Sequence, residues 1–377
     1  MIEIQDIFKV YLPNFLENYQ LSFNQFKAVN ALVNCRSEVL GSHLDTCDSC
    51  GHNHISYNSC RNRHCPKCQA AASHQWVQRQ QESLLDVQYF HVVFTVPDSL
   101  NSLFLFNQSL CFNLLFKAAS DTLNLLTKDP KHLGANIGFT CVLHTWGQNL
   151  SFHPHLHCIV TGGGLNQLQD QFIHSKKKFL LPVRVLSKVF QGKFLDYLKQ
   201  LFLKRPDAFS FHASEIDATE HLFSLINELY MIKWVVFAKP TFKHSSAVLK
   251  YLGRYTHRIA ISNSRLLCMD DGLITFKYKD YKDHNQQKIM TLSSDEFIRR
   301  FLMHILPVGF RKIRHYGILS NCVRKKKITL IRKLIGISSF LSKLLVATNV
   351  PFQPLCPVCK QGHLVFSRRL DHVRLLS

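Results

Sequence analysis

Apolar positions open the chain at helical spacing: Ile7, Val10, Tyr11 and Phe15, then Phe23, Phe26, Val29 and Leu32. Recurrence every three or four residues places such side chains on one face of a helix, so residues 1–40 are expected to be helical. The pattern breaks over 41–70, which is rich in Cys, His, Asn and Gly and short of aliphatic residues. A loop-rich unit with so little to bury needs a metal in place of the missing core. Helical spacing resumes from Ala70 to Leu85.

Strand signals follow. His91-Val92-Val93-Phe94-Thr95-Val96 is β-rich and stops at Pro97. A helix is expected around Leu103 to Leu126. Two further strands, Phe139 to Gly147 and His155 to Thr161, are joined by a short polar connection, and the second ends at Gly162-Gly163-Gly164. Residues 185–230 read as helical, and Lys233 to Ala238 as a fourth strand stopped by Pro240. Another helix starts near Ser245 or Ser246, both suited to capping its N-terminus. A strand or hairpin over Leu273 to Tyr278 precedes a helix at Ser294 to Leu306. The apolar stretch Ile328 to Val350 is broken by Arg332, Lys333 and Lys343 and reads as a pair of basic amphipathic helices, with binding to a membrane surface as the alternative. This β-α-β-β then β-α order predicts an α+β fold with a mainly antiparallel sheet.

Charge narrows the partner. Among 377 residues, Lys plus Arg number 46 against 25 Asp plus Glu, a net +21. Such an excess suits a row of phosphates, because each one neutralised releases counterions. No apolar run reaches the ~18 residues that a membrane span needs. Glu3 and Asp6 within the first eight residues argue against a secretory signal, so a cytoplasmic protein with no membrane partner is expected. Of the 13 cysteines, six fall between Cys35 and Cys68, a clustering that means metal ligation in a protein that is not secreted.

Cys47-Asp48-Ser49-Cys50 and Cys65-Pro66-Lys67-Cys68 are CxxC pairs, and two thiolates at that spacing reach one tetrahedral ion. Cys47, Cys50, Cys65 and Cys68 are therefore expected to hold one structural zinc, with Cys35, His43, Cys60 and His64 unassigned. Arg61 and Arg63 beside it, with Lys67, make the module a candidate DNA reader. Cys356-Pro357-Val358-Cys359 is half of a similar knuckle, able to bind zinc alone or against a partner surface.

Catalytic chemistry is written in two places. In His153-Pro154-His155-Leu156-His157 alternate residues of a strand share a face, so His155 and His157 can address one ion while Leu156 enters the core. His153 and His144, the latter across a possible hairpin, are the candidates for a third ligand. An open imidazole site suits catalytic Mg²⁺ or Mn²⁺, and raw affinity would also admit zinc. Tyr251 and Tyr255, four apart, would share a helix face beside a basic stripe of Lys250, Arg254 and Arg258. Near a metal and guanidinium groups these phenols become candidate nucleophiles. A zinc hydrolase built on His153, His155 and His157 would want a carboxylate base nearby, and no Asp or Glu lies between Asp129 and Asp170.

Cys47 to Gln69, His153 to Val160, Tyr251-Leu252-Gly253-Arg254-Tyr255-Thr256-His257-Arg258, and Phe297 to Leu302 through Gly309-Phe310 to Ile313-Arg314-His315-Tyr316-Gly317 resemble the rolling-circle insertion-sequence transposases of the IS91 family. That family belongs to the HUH endonucleases, whose histidine–hydrophobic–histidine triplet falls here on His155, Leu156 and His157. The resemblance implies an HUH-type antiparallel sheet with flanking helices behind a helical, zinc-ribbon-like module. It also implies tyrosine attack on single-stranded DNA at the ends of a mobile element, leaving a 5′-phosphotyrosine, in a prokaryotic, nucleoid-associated enzyme. Arg311 and Arg314 join the expected DNA contacts. The division expected is 1–88 for DNA and zinc binding, 89–320 for the nuclease and 321–377 for a basic tail with its CxxC. The rival reading is a non-catalytic zinc-dependent DNA-binding protein.

Overall fold

A computed structural model describes residues 2–81, 83–211, 218–240, 248, 253, 256–281, 283–336 and 353–370. Its helices are α1 (Ile4–Asn18), α2 (Phe23–Val33), α3 (Pro66–Gln81), α4 (Asn101–Phe106), α5 (Gln108–Lys128), α6 (Val183–Lys204), α7 (Ala218–Met231), α8 (Ser294–Met303) and α9 (Arg324–Leu334). The first strands are β1 (Ser42–Cys47), β2 (Asn53–Tyr57), β3 (Tyr89–Thr95), β4 (Asn136–Trp146), β5 (Phe152–Leu165) and β6 (Phe172–His174). After them come β7 (Val236–Pro240), β8 (Leu266–Asp270), β9 (Leu273–Asp280), β10 (Gln286–Ser293), β11 (Ile313–Gly317) and β12 (Leu364–Leu370). Every strand pairing among the described residues is antiparallel, as the element order predicts. No helix among them is long and apolar enough to cross a membrane.

The chain forms two compact units, neither a single stretch of sequence. One unites Met1–Ala72, Ile259–Ile305 and Ala347–Ser377; the other unites Ser73–Arg258 and Leu306–Val346. In the first unit α1 buries Ile7, Phe8 and Phe15, with Phe8 edge-on to Phe301 of α8 at 5.3 Å. Ser22 and Gln25 close a reciprocal capping box that starts α2. The apolar stripe read from the sequence is only partly buried, since Val10, Phe23 and Phe26 stay exposed. Two small sheets, in the orders β12-β1-β2 and β10-β9-β8, complete the unit. The stretch 41–70, read as loop-rich, thus contains two strands whose polar sequence gave no alternating signal.

The second unit is built on a six-stranded sheet, ordered β11-β4-β5-β3-β7, with β6 paired to β5. One face is packed by aromatics: Phe94 meets Phe190 of α6 at 4.8 Å, while Phe104 stacks on Phe194 at 6.0 Å. Leu156 and Cys158 point the same way and are fully buried. The other face carries Tyr89 and Ile159 in a cluster with Trp76, Leu85, Val248, Ile328 and Ile331.

Two stop signals work differently from their reading. Pro240 is the last residue of β7 and sits opposite Phe90, tolerated because β7 is an edge strand. The run Gly162-Gly163-Gly164 lies inside β5 instead of ending it. A Cβ at Gly162 would stand 2.5 Å from the Gln88 carbonyl oxygen, and one at Gly164 2.2 Å from that of Asn136. Glycine is what lets three strands close up there.

Candidate metal and nucleophile site

β5 explains the histidine triplet locally. Its period of two sends Phe152, Pro154, Leu156 and Cys158 into the aromatic core and His153, His155 and His157 to the opposite face. Antiparallel pairing adds a third imidazole, because His144 of β4 lies directly across from His155. Ligand atoms of His144, His155 and His157 fall within 4.8 Å of one another. His144 is buried and stacked on Trp146 at 4.7 Å. His153 departs from expectation: it stands outside this trio, more than a third exposed, with Nδ1 3.4 Å from Asp98 Oδ1. The strand's own direction carries it past the end of the cluster.

Ring orientation is fixed from behind. Nδ1 of His155 donates to the backbone carbonyl of His153 at 2.7 Å, which leaves a lone pair on Nε2. His157 Nδ1 lies 2.8 Å from Nε2 of His91, on the neighbouring strand β3, and the two rings stack. The remaining nitrogens, Nε2 of His155 and of His157, face each other at 3.1 Å. Two ligands at ~2.1 Å from one ion and at right angles to each other stand about 3 Å apart, so the spacing fits a shared cation. Burial lowers the pKa of His155 to about 4 and pushes His157 well below the ordinary value, with the Arg258 charge adding in both cases. Burial alone takes His91 to about 4. All three imidazoles are therefore neutral at pH 7, the form that coordinates a metal.

Lys250, Tyr251, Arg254 and Tyr255 lie outside the described residues. Their described neighbours bracket them. Val248 is buried in the same cluster as Ile159, two positions along β5 from His157. Gly253 accepts a hydrogen bond from Ser73 Oγ at 3.0 Å, and a side chain there would press on Val77 of α3. Val248, Gly253 and Thr256 have helical backbone. Arg311 is exposed, whereas Arg314 is held over the Phe116 ring at 4.1 Å and donates to Asn113 Oδ1 at 2.5 Å.

The cysteines form two quartets, and the expected grouping is corrected. Cys65 and Cys68 join Cys35 and Cys60, not Cys47 and Cys50; those two join Cys356 and Cys359. In the first quartet Sγ separations are 3.6 Å for Cys35–Cys68, 3.6 Å for Cys60–Cys68 and 3.5 Å for Cys65–Cys35. Two sulfurs ~2.3 Å from one tetrahedral ion stand about 3.8 Å apart, so these four fit zinc. Hydrogen bonds, chiefly from Cys60, hold the Cys68 thiol far below the usual range. Arg61 is exposed with left-handed backbone (φ 52), while Arg63 is partly buried.

Two family models match separate stretches of the chain. A family described as "Putative transposase" matches residues 138–327, which include most of β4, all of β5 and the tyrosine segment. A second, "Transposase zinc-binding domain", matches residues 7–96. The "Putative transposase y4qJ" of Sinorhizobium fredii is 43% identical over 383 residues, 98% of this chain and 96% of its own. The transposase for insertion sequence element IS801 of Pseudomonas savastanoi pv. phaseolicola is 32% identical over 311 residues, covering 82% and 73%. No solved structure matches.

Proposed function

This chain belongs to the IS91-family transposases, and from that premise we propose that it cuts and rejoins single-stranded DNA through Tyr251 and Tyr255 at the histidine face of the sheet. DNA is the partner of a transposase; that the strand is single, and comes from the ends of the chain's own element, belongs to the proposal. The observation that carries it is the pair of Nε2 atoms at 3.1 Å, each with its Nδ1 held from behind. His144, His155 and His157 would hold a divalent cation, and three imidazoles favour Mn²⁺ over the oxygen-seeking Mg²⁺. When bound, such a cation polarises the scissile phosphate.

The chain's own residues supply the rest. A tyrosine oxygen attacks the phosphorus and loses its proton; the P–O3′ bond breaks, and the departing oxygen takes a proton to become a free 3′-hydroxyl. The 5′ end is left as a phosphotyrosine ester. Attack on that ester by another 3′-hydroxyl rejoins DNA and regenerates the phenol, so bond energy is conserved without a nucleotide cofactor. Two tyrosines allow two strands to be held during one transfer. Arg258, whose charge reaches His155 and His157, would offset charge growing on the phosphate. No carboxylate is needed as base, in keeping with the acid-free stretch between Asp129 and Asp170.

Zinc at Cys35, Cys60, Cys65 and Cys68 serves architecture, since four protein thiolates leave no open position. The basic α9, with Lys325, Lys326 and Lys333 along one groove, extends the cationic surface for the DNA backbone. The test is a denaturing gel of end-labelled single-stranded DNA from the element's flanks, incubated with Mn²⁺. Nicking that disappears in His157→Ala while DNA affinity persists supports the reading. Equal loss of binding and nicking would make the histidines structural.

A further inference from the structure

We propose that Cys47, Cys50, Cys356 and Cys359 bind a second zinc, which clamps the C-terminal segment onto the N-terminal module. Both matched family stretches end before Cys356, at residues 96 and 327. The sulfur geometry is that of one tetrahedral ion: Cys47 and Cys359 Sγ are 3.7 Å apart, and Cys50 and Cys356 Sγ 3.8 Å, against the about 3.8 Å expected of shared zinc. All four are free thiols.

The backbone around them is shaped for the same purpose twice. In the first knuckle the amide of Gly51 donates to the Cys47 carbonyl at 3.1 Å, and Gly51 has φ +69. In the second the amide of Lys360 donates to the Cys356 carbonyl at 3.0 Å, and Lys360 has φ 56. A left-handed backbone at a lysine is uncommon and has to be compensated by what the turn achieves. Here it aims amides at sulfur. Ser49 and Cys50 donate to Cys47 Sγ, each at 3.4 Å, and Gly362 donates to Cys359 Sγ at 3.3 Å. N–H groups directed at sulfur favour the thiolate, the form zinc binds. Gly362 has no room to change, because a Cβ there would lie 2.6 Å from Cys47 Sγ.

A sheet seats the two knuckles together. β12 pairs with β1 from Ser42↔Leu370 to Cys47↔Leu364. Beside it Asp48 and His363 exchange two bonds: the Asp48 amide donates to the His363 carbonyl at 3.0 Å, and the His363 amide donates to Asp48 Oδ1 at 2.7 Å. The buried core beneath is slight, consisting of Cys47, Cys356 and Leu364 with Cys359 packed against them. So small an apolar cluster cannot by itself offset the entropy of joining segments 306 residues apart, and a metal can. The clamp stands independently of the tyrosine chemistry. It means that the N-terminal module is finished only when the last part of the chain has been made.

Native mass spectrometry of the full chain is expected to show two zinc ions per molecule. The double variant C356S/C359S should hold one, and C65S/C68S should also hold one. Should the serine variants not fold, C359H, which retains a ligand, should keep both zincs. Alkylation of the wild-type chain, mapped by peptide, should leave Cys356 and Cys359 unmodified until a strong chelator is added. One zinc in the folded wild-type chain overturns the proposal. So does a second zinc that survives C356S/C359S, a disulfide between these cysteines, or prompt alkylation of Cys356 and Cys359 without chelator.

Discussion

The histidine face and the cysteine quartets both start from two ligands close in sequence, and they are completed by different physics. His155 and His157 sit on one strand, and their third partner, His144, comes from the other arm of the same hairpin, directly opposite His155. A ladder with a period of two fixes which residues share a face, so the partner follows from register. Cys65 and Cys68 find theirs at Cys35 and Cys60, and Cys47 and Cys50 at residues 306 positions away. A CxxC knuckle has no register to extend, since any second pair of thiols satisfies a tetrahedral ion. Its partner is chosen by the tertiary path of the chain. A strand advertises its neighbour; a knuckle advertises only a vacancy for one.

The largest expected effect breaks the cysteine side of this comparison. Cys65→Ser should unfold the part of the N-terminal module gathered on Cys35, Cys60, Cys65 and Cys68, because structural zinc is worth on the order of 10 kcal/mol of folding free energy. Circular dichroism and zinc content should fall together. The histidine side responds otherwise. His155→Ala should lower nicking by about 10³-fold or more, the weight of several kcal/mol of transition-state stabilisation, with DNA affinity and folding nearly intact. His153→Ala, outside the trio, should change nicking far less; comparable losses in both variants would put the site's boundary elsewhere.

Acid sharpens the same contrast. Burial lowers His155 to about 4 from an ordinary 6.5, so the unfolded chain takes up a proton that the folded site refuses. Stability from this group is complete above pH 6.5 and is lost as pH falls toward 4, by up to about 3 kcal/mol. Denaturation followed against pH in His155→Phe should show a shallower loss across that window than the parent. The smallest effect belongs to His91, which stands behind His157 and not at the pair of Nε2 atoms. His91→Phe should cost about 10–100-fold in metal affinity and leave the fold standing. A Mn²⁺ titration of nicking measures it.

Much of the six-stranded sheet was legible because apolar alternation and β-branched runs are local. Leu156 buried between His155 and His157 and the strand over 91–96 follow from spacing alone, whereas the helix read over 103–126 is divided at Asn107 into α4 and α5. Other features were not. His91 is one histidine in an apolar strand, where a hydrogen-bonded core residue is the commoner outcome, and nothing nearby in sequence marks its partner. β1, β2 and β12 escaped because short polar strands, held by a knuckle and an edge partner, bury too little to alternate. Arg314 stands among basic neighbours in sequence, and the Phe116 ring beneath its guanidinium comes from α5, far along the chain. The interleaving of three chain stretches in one unit leaves no local trace at all.

The proposed chemistry requires a covalent bond between DNA and Tyr251 or Tyr255, and peptide mapping locates that bond. Trypsin cuts after Lys250, Arg254 and Arg258, so it delivers the two tyrosines on separate peptides. Single-stranded DNA from the element's flanks, trapped on the wild-type chain with Mn²⁺, should be found on one or both of these peptides. The adduct should be absent from Y251F/Y255F and from His157→Ala. DNA attached to Tyr278 or Tyr316, or an adduct undiminished in the double variant, would contradict the account.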